Sequence, residues 1–187
     1  MALRWPQHRS VTSLFSNLVT RPTGRAIRMG VESQIAELPG APASARLSVL
    51  DFSQVRILDY SCADEIVAKL LLRYQDPARP CEVFFVVRDL QEHHLEAVET
   101  VLERHGLLVV TEDDVGAFHL LGSGDVLLQS CWETLLRIGR STAEQLAREA
   151  RADPPQVRDA LDVLCAQRVA LRYPDGAAVA LPSLLHE

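Results

Sequence analysis

The 187-residue chain is 48% apolar and 24% charged with no low-complexity tract, which suits one core domain of about 120 residues plus a smaller unit and excludes a disordered or fibrous protein. Its apolar runs fall far below the roughly 20 residues of a membrane span, and its first residues are basic without a continuous apolar segment or a small-residue cleavage site. No membrane span or signal peptide is expected, and a cytoplasmic setting follows. The net charge of −6 is uneven: residues 1–50 hold six Arg against two Glu, residues 51–124 six basic against fourteen acidic, and residues 125–187 seven against nine. The middle of the chain should repel nucleic acid, whereas the amino-terminal part could attract anions or an acidic partner.

Residues 10–19 (SVTSLFSNLV) predict a strand. TRPTG at 20–24 reads as a turn, and from about Thr23 the apolar residues Ile27, Val31, Ile35 and Leu38 recur at helical spacing until Pro39 and Gly40. Residues 47–52 form a near-continuous apolar run that suits a strand covered on both faces. Ser61-Cys-Ala-Asp64 has the form of a capping box, with Ala63, Val67, Leu70, Leu71 and Tyr74 as the stripe behind it. Residues 81–87 (CEVFFVV) predict a second buried strand. Residues 89–92 repeat the capping pattern before a helix that carries Leu95, Val98, Leu102 and His105 and stops at Gly106. Strands follow at 107–111 and 117–121. Strands alternating with helices predict an α/β fold, a mixed sheet layered with helices and containing parallel pairs.

After Gly124 the rhythm changes. Three helical patterns follow, at 125–138, at 142–150 behind the capping box Ser141-Thr-Ala-Glu144, and at 154–168 with Asp153 as N-cap and Pro154 in the first position. Two short runs, 169–173 and 177–181, flank the turn signal Pro174-Asp175-Gly176. Three helices and a terminal β-hairpin are the element order of a winged helix, so two domains are expected, residues 1–122 and 123–187.

Several residues are candidates for function. Ser61 at a helix start is either a phosphorylation site, its phosphate resting on free N–H groups, or a plain N-cap. Asp64 and Glu65 in the same turn oppose an added phosphate. Cys62 there reads as packed and unreactive, because the nearby carboxylates oppose a thiolate. Cys62, Cys81, Cys131 and Cys165 form no CxxC pair, so neither a zinc knuckle nor a disulfide framework is expected, and no metal or cofactor is called for. Arg21, Arg25 and Arg28 could hold an anion, but pairing with the acidic 51–124 region or across a dimer is favoured, since one glycine is far short of a phosphate loop. His93 and His94 point about 100° apart on a helix and read as a solvated pair. Trp132 reads as core of the small domain. On the third helix of that domain Gln156 and Arg158, with Arg172 beside the wing, are possible DNA contacts, opposed by Asp153, Asp159 and Asp162.

Residues 47–110 resemble the STAS family of anti-sigma-factor antagonists and sulphate-transporter tails. The resemblance rests on the strand LSVLDFS, the spacer 54–58, Asp59 at the strand end and the helix from Ser61. Antagonists read Asp-Ser-Ser-Gly or Asp-Thr-Ser-Gly here and accept phosphate on the hydroxyl directly after the Asp. That position is Tyr60 in this chain and the glycine position is Cys62, so only Ser61, one place later, keeps an aliphatic hydroxyl. Ser61, Ala63, Asp64 and Glu65 are closer to a STAS-like subgroup with a Ser-x-Ala-Asp-Glu motif in bacterial regulatory proteins.

The resemblance implies a non-enzymatic bacterial regulator in signalling or transcription control. Asp59, Tyr60, Ser61, Asp64 and Glu65 would dock a protein partner, an anti-sigma-like kinase or a sibling subunit in a homodimer, and the winged helix would deliver the output. The main competitor is a sequence-specific DNA-binding repressor whose α/β domain dimerises or senses a ligand. A third reading, an enzyme using the Arg21 to Arg28 segment, finds no general base at a telling spacing.

Overall fold

A computed structural model describes residues 8–39 and 45–185. Its first five strands, β1 (His8–Leu18), β2 (Arg46–Leu58), β3 (Val83–Arg88), β4 (Leu108–Glu112) and β5 (Phe118–Gly122), form one sheet in sequential order. β1 through β4 pair in parallel and β5 returns antiparallel to β4, so the sheet is mixed and mostly parallel. The fold class is α/β, as the alternating pattern predicts.

Three helices connect the parallel strands. α1 (Arg21–Glu37) joins β1 to β2. A single helix joining β2 to β3 begins as α2 (Tyr60–Ala63), passes through a π-helical turn (Asp64–Ala68) and ends as α3 (Lys69–Gln75). α4 (Glu92–His105) joins β3 to β4 and stops at Gly106, whose φ of 63° opens the left-handed region that a glycine enters freely. All three helices pack on the same sheet face, where Leu50, Phe52, Phe85 and Val87 of the strands meet Val31, Ile35, Ile66, Leu70, Val98 and Leu102 of the helices.

The opposite face is covered by the carboxy-terminal unit: α5 (Val126–Ile138), α6 (Ala143–Ala150), α7 (Pro154–Ala166), the hairpin β6 (Ala170–Arg172) with β7 (Ala178–Ala180), and a closing 3-10 turn (Leu181–Leu184). Leu47, Val49, Phe84, Val86, Leu108 and Val110 from the sheet share one core with Trp132, Leu135, Leu161 and Leu164 from these helices. Trp132 is fully buried and donates its indole N–H to the Val169 carbonyl at 3.1 Å. The expected division at 122/123 therefore marks a change of architecture but not a boundary of packing. Two side chains reinforce the junction. Arg168 donates to the Val83 carbonyl at 2.8 Å and to Glu82 at 2.9 Å while stacking over Phe84, and Gln167 accepts the Leu108 N–H and donates to the Gly106 carbonyl.

Some local expectations shift. TRPTG at 20–24 is no free turn: Thr20 caps α1, and Pro22 sits in its first turn, where a missing N–H costs nothing. β2 runs on to Leu58, its second half pairing only with β1 and with irregular register. α4 is capped by Gln91 with His94 rather than by Asp89. α6 is capped by Thr142 with Gln145 rather than by Ser141 with Glu144. His94 is correspondingly buried, its Nδ1 accepting the Gln91 N–H at 3.2 Å, and is not the solvated residue expected from its neighbour His93.

Candidate functional site

The helix after β2 starts where Asp59, in extended conformation, accepts the Ser61 N–H at 2.6 Å. Asp59 is therefore the N-cap, and Ser61 is the second helical residue rather than the cap of a box with Asp64. Hydrogen bonds from the Ser61 hydroxyl and N–H hold the Asp59 carboxyl below the usual carboxylate range. Tyr60 and Ser61 are half-exposed and Asp59 is exposed. The Tyr60 hydroxyl accepts from Arg104, at the exposed end of α4, at 3.0 Å.

Immediately after this turn the helix widens. The Lys69 N–H reaches back five residues to the Asp64 carbonyl, the mark of a π-turn, a feature frequent at functional sites. Asp64 and Glu65 lie inside this turn, Asp64 buried and Glu65 with no exposed surface. Such carboxylates are tolerated only when paired. Here the pairing comes from α1, which passes very close: a Cβ on Gly24 would stand 3.0 Å from both Cys62 Cα and Glu65 Cβ.

Gly24 thus lets Arg21 and Arg28, one turn to either side of it, reach over the acidic pair. Arg21 Nη1 is 3.0 Å from Asp64 Oδ2 and 3.2 Å from Glu65 Oε1, and Arg28 Nε is 3.3 Å from Glu65 Oε2. Lys69, four residues after Glu65, also bonds to it and lies 3.7 Å from Asp64. His105 Nε2 is 2.9 Å from Asp64 Oδ1, and because an ionised carboxylate only accepts, Nε2 carries the proton. Glu32 extends the network to Arg28 at 2.9 Å and Arg73 at 3.7 Å.

Burial by itself pushes the Asp64 and Glu65 carboxyls up. For Asp64, hydrogen bonds from His105 and Arg21 and the charge of Lys69 outweigh it. For Glu65, Lys69, Arg28 and Arg21 do the same, so both stay ionised below the ordinary carboxylate range. A general base working near neutral pH needs the opposite shift. The buried Cys62 thiol is pushed up by burial, with Asp59 and Glu65 adding to it, and its Sγ donates to the Thr20 carbonyl at 3.0 Å.

The five residues grouped around the helix start therefore divide in two. Asp59, Tyr60 and Ser61 form an accessible face, and Asp64 and Glu65 lie beneath it as its foundation. Among the arginines, Arg21 and Arg28 pair within the chain with the acidic middle segment, while Arg25 is exposed and makes no ion pair among the described residues. On α7, Gln156 and Arg158 face solvent, but Arg172 is held by Asp162 at 2.6 Å. Gly24, Lys69 and Arg104 belong to the site although the sequence pattern did not single them out. Lys69 was within reach of it, as the i+4 partner of Glu65.

No protein family, curated protein or solved structure matches the chain.

Proposed function

We propose that the chain is a non-enzymatic regulatory protein of bacterial signalling or transcription control. A STAS-like α/β module docks a protein partner on the face formed by Asp59, Tyr60, Ser61 and Arg104, and a winged-helix unit of α5 to α7 and the β6–β7 hairpin carries the output. The partner is an anti-sigma-like kinase or a sibling subunit, and the setting is the cytoplasm.

One observation carries this reading: Asp59, Tyr60 and Ser61 stand at the surface on a helix whose next turn is fixed by three cations and a histidine. Such a foundation pre-organises a recognition face and cuts the ordering cost of binding. The depressed carboxyls and the tethered, protonated thiol favour recognition over reaction.

The test is affinity capture of the tagged full chain from its native host. A companion retained by the wild type and by Val115→Ser, but lost with Ser61→Asp, supports the reading. An identical set of companions with all three chains overturns it. The competing repressor draws on the exposed Gln156 and Arg158, yet Asp162 engages Arg172 and the unit is net negative, the reverse of a phosphate-contacting surface. Salt-dependent retardation of random DNA would bring it forward.

A further inference from the structure

β1 is an edge strand of eleven residues, and its sequence HRSVTSLFSNL has no proline, lysine or carboxylate to discourage pairing. On the face turned away from α1 it exposes Val11 at 47% and Phe15 at 63%, four residues apart. Ile57 of β2, beside Asn17, adds a third exposed apolar side chain to the same face. The carboxy-terminal unit covers Leu47 and Val49 of β2 but leaves these three bare. Among the described residues no strand pairs with the outer edge of β1, and a row of backbone groups flanked by apolar side chains is a template for one more strand.

The neighbouring helix carries an independent sign. Gln34 of α1 accepts the Thr12 hydroxyl at 2.6 Å, so the flank of α1 bearing Gln34 lies along β1. At about 100° per residue, Thr23 and Gly30 share that flank. Gly30 is exposed in mid-helix, and a Cβ there would meet nothing within 4 Å. Such a glycine costs about 1 kcal/mol relative to alanine, and no described residue packs closely against it. It has a use if another helix passes close by.

We infer that two copies of this chain associate by antiparallel pairing of their β1 strands about a two-fold axis at Ser13, with their α1 helices meeting near Gly30. In that register Val11 faces Phe15 of the second copy on the exposed side, and Arg9 faces Asn17. The contact is isologous, the commonest form of closed dimer. The two Arg9 guanidinia lie about 26 Å apart, well beyond the Debye length of about 8 Å, so no like charges oppose each other. A paired edge of eleven residues spans roughly 36 Å and covers roughly 700 Å² over both copies. The α1 flanks bring the total towards the ~1,000 Å² of a specific interface, which fits a reversible dimer in the micromolar range.

The test is sedimentation equilibrium of the full chain from about 5 to about 500 μM. The wild type should pass from monomer to dimer, and Val11→Glu/Phe15→Glu should stay monomeric throughout. Gly30→Gln should weaken dimerisation at least tenfold while raising the melting temperature of the dilute monomer, a pairing of effects that simple misfolding does not give. Ser61→Asp should dimerise like the wild type, which separates this interface from the docking face proposed above. A wild type that stays monomeric, or variants at Val11/Phe15 and Gly30 that associate unchanged, would overturn the inference.

Discussion

Gly24 of α1 lies so close to Cys62 that a Cβ added to it would stand 3.0 Å from the Cys62 backbone. This contact sets the distance at which Arg21 and Arg28 clasp the acidic pair. Gly24→Val should therefore push the two helices apart and cost about 1 to 3 kcal/mol, the range of overpacking in a tight core. Gly30→Ala, in the same helix but in open space, should stabilise by about 0.5 to 1 kcal/mol through helix propensity. Urea denaturation of the two variants at low concentration checks both signs.

Glu65 receives Arg21, Arg28 and Lys69 with no surface of its own exposed. Glu65→Ala removes the carboxylate they share and leaves Asp64 and Glu32 as their remaining counter-charges. The expected loss is about 3 kcal/mol, the low end for breaking a buried pair because Arg21 and Lys69 reach solvent. Restoring the double variant Glu65→Ala/Lys69→Met should recover part of it, as measured by the shift in denaturation midpoint.

The acid limb of stability follows from the same groups. Asp59, Asp64, Glu65 and Glu82 all have carboxyls held below their ordinary values in the folded chain, so the unfolded chain binds protons first. Their contribution is complete above the ordinary carboxylate range near pH 4 and is lost as pH falls through and below it. Thermal melts between about pH 2 and pH 6 should show this decline, with a shallower slope for Glu65→Gln.

Asp89 behaves in the opposite sense. Burial and the facing carboxylates Asp51, Glu112 and Asp114 raise its carboxyl, only partly offset by Arg88, and its φ of 56° lies in the left-handed region. Its contribution is present at low pH and is lost as pH rises through its raised value. Asp89→Asn removes the repulsion and suits that backbone, so at pH 7 it should stabilise by about 0.5 kcal/mol in a urea titration.

Arg168 fastens the carboxy-terminal unit to β3 through Val83, Glu82 and the Phe84 ring. Arg168→Ala should speed amide hydrogen exchange in β3 and α7 more than in β1 and α1. Arg168→Lys should not rescue it, since an ammonium cannot reproduce the fork and the stacking together. Equal acceleration throughout the chain would count against this clamp.

Much of this layering could be read from residue order. Alternation of strands and helices, the stop at Gly106 and the turn at Pro174 to Gly176 all follow from local chemistry that acts within a few residues. The segregation of Arg21 and Arg28 from the acidic middle segment likewise announced their pairing. Asp59 was missed as the cap because Ser61 two residues on offers the same chemistry, and only the backbone conformation decides between them.

The burial of Asp64 and Glu65 was beyond reach for a different reason: their partners on α1 lie about forty residues away, and a carboxylate pair normally signals a solvated surface. The two-sided apolar character of residues 47–52 did foretell a cover on both faces. The second cover turned out to be the carboxy-terminal unit itself, folded back over the sheet.

The π-turn between Asp64 and Ala68 inserts one residue into an otherwise regular spiral. Everything ahead of it is consequently phased about 100° away from where an unbroken α-helix would aim it. Removing a single codon from that stretch would leave composition and helicity almost intact while swinging Tyr60 off Arg104. The aim of the surface residues thus depends on a count of peptide units and is insensitive to which apolar side chains fill them.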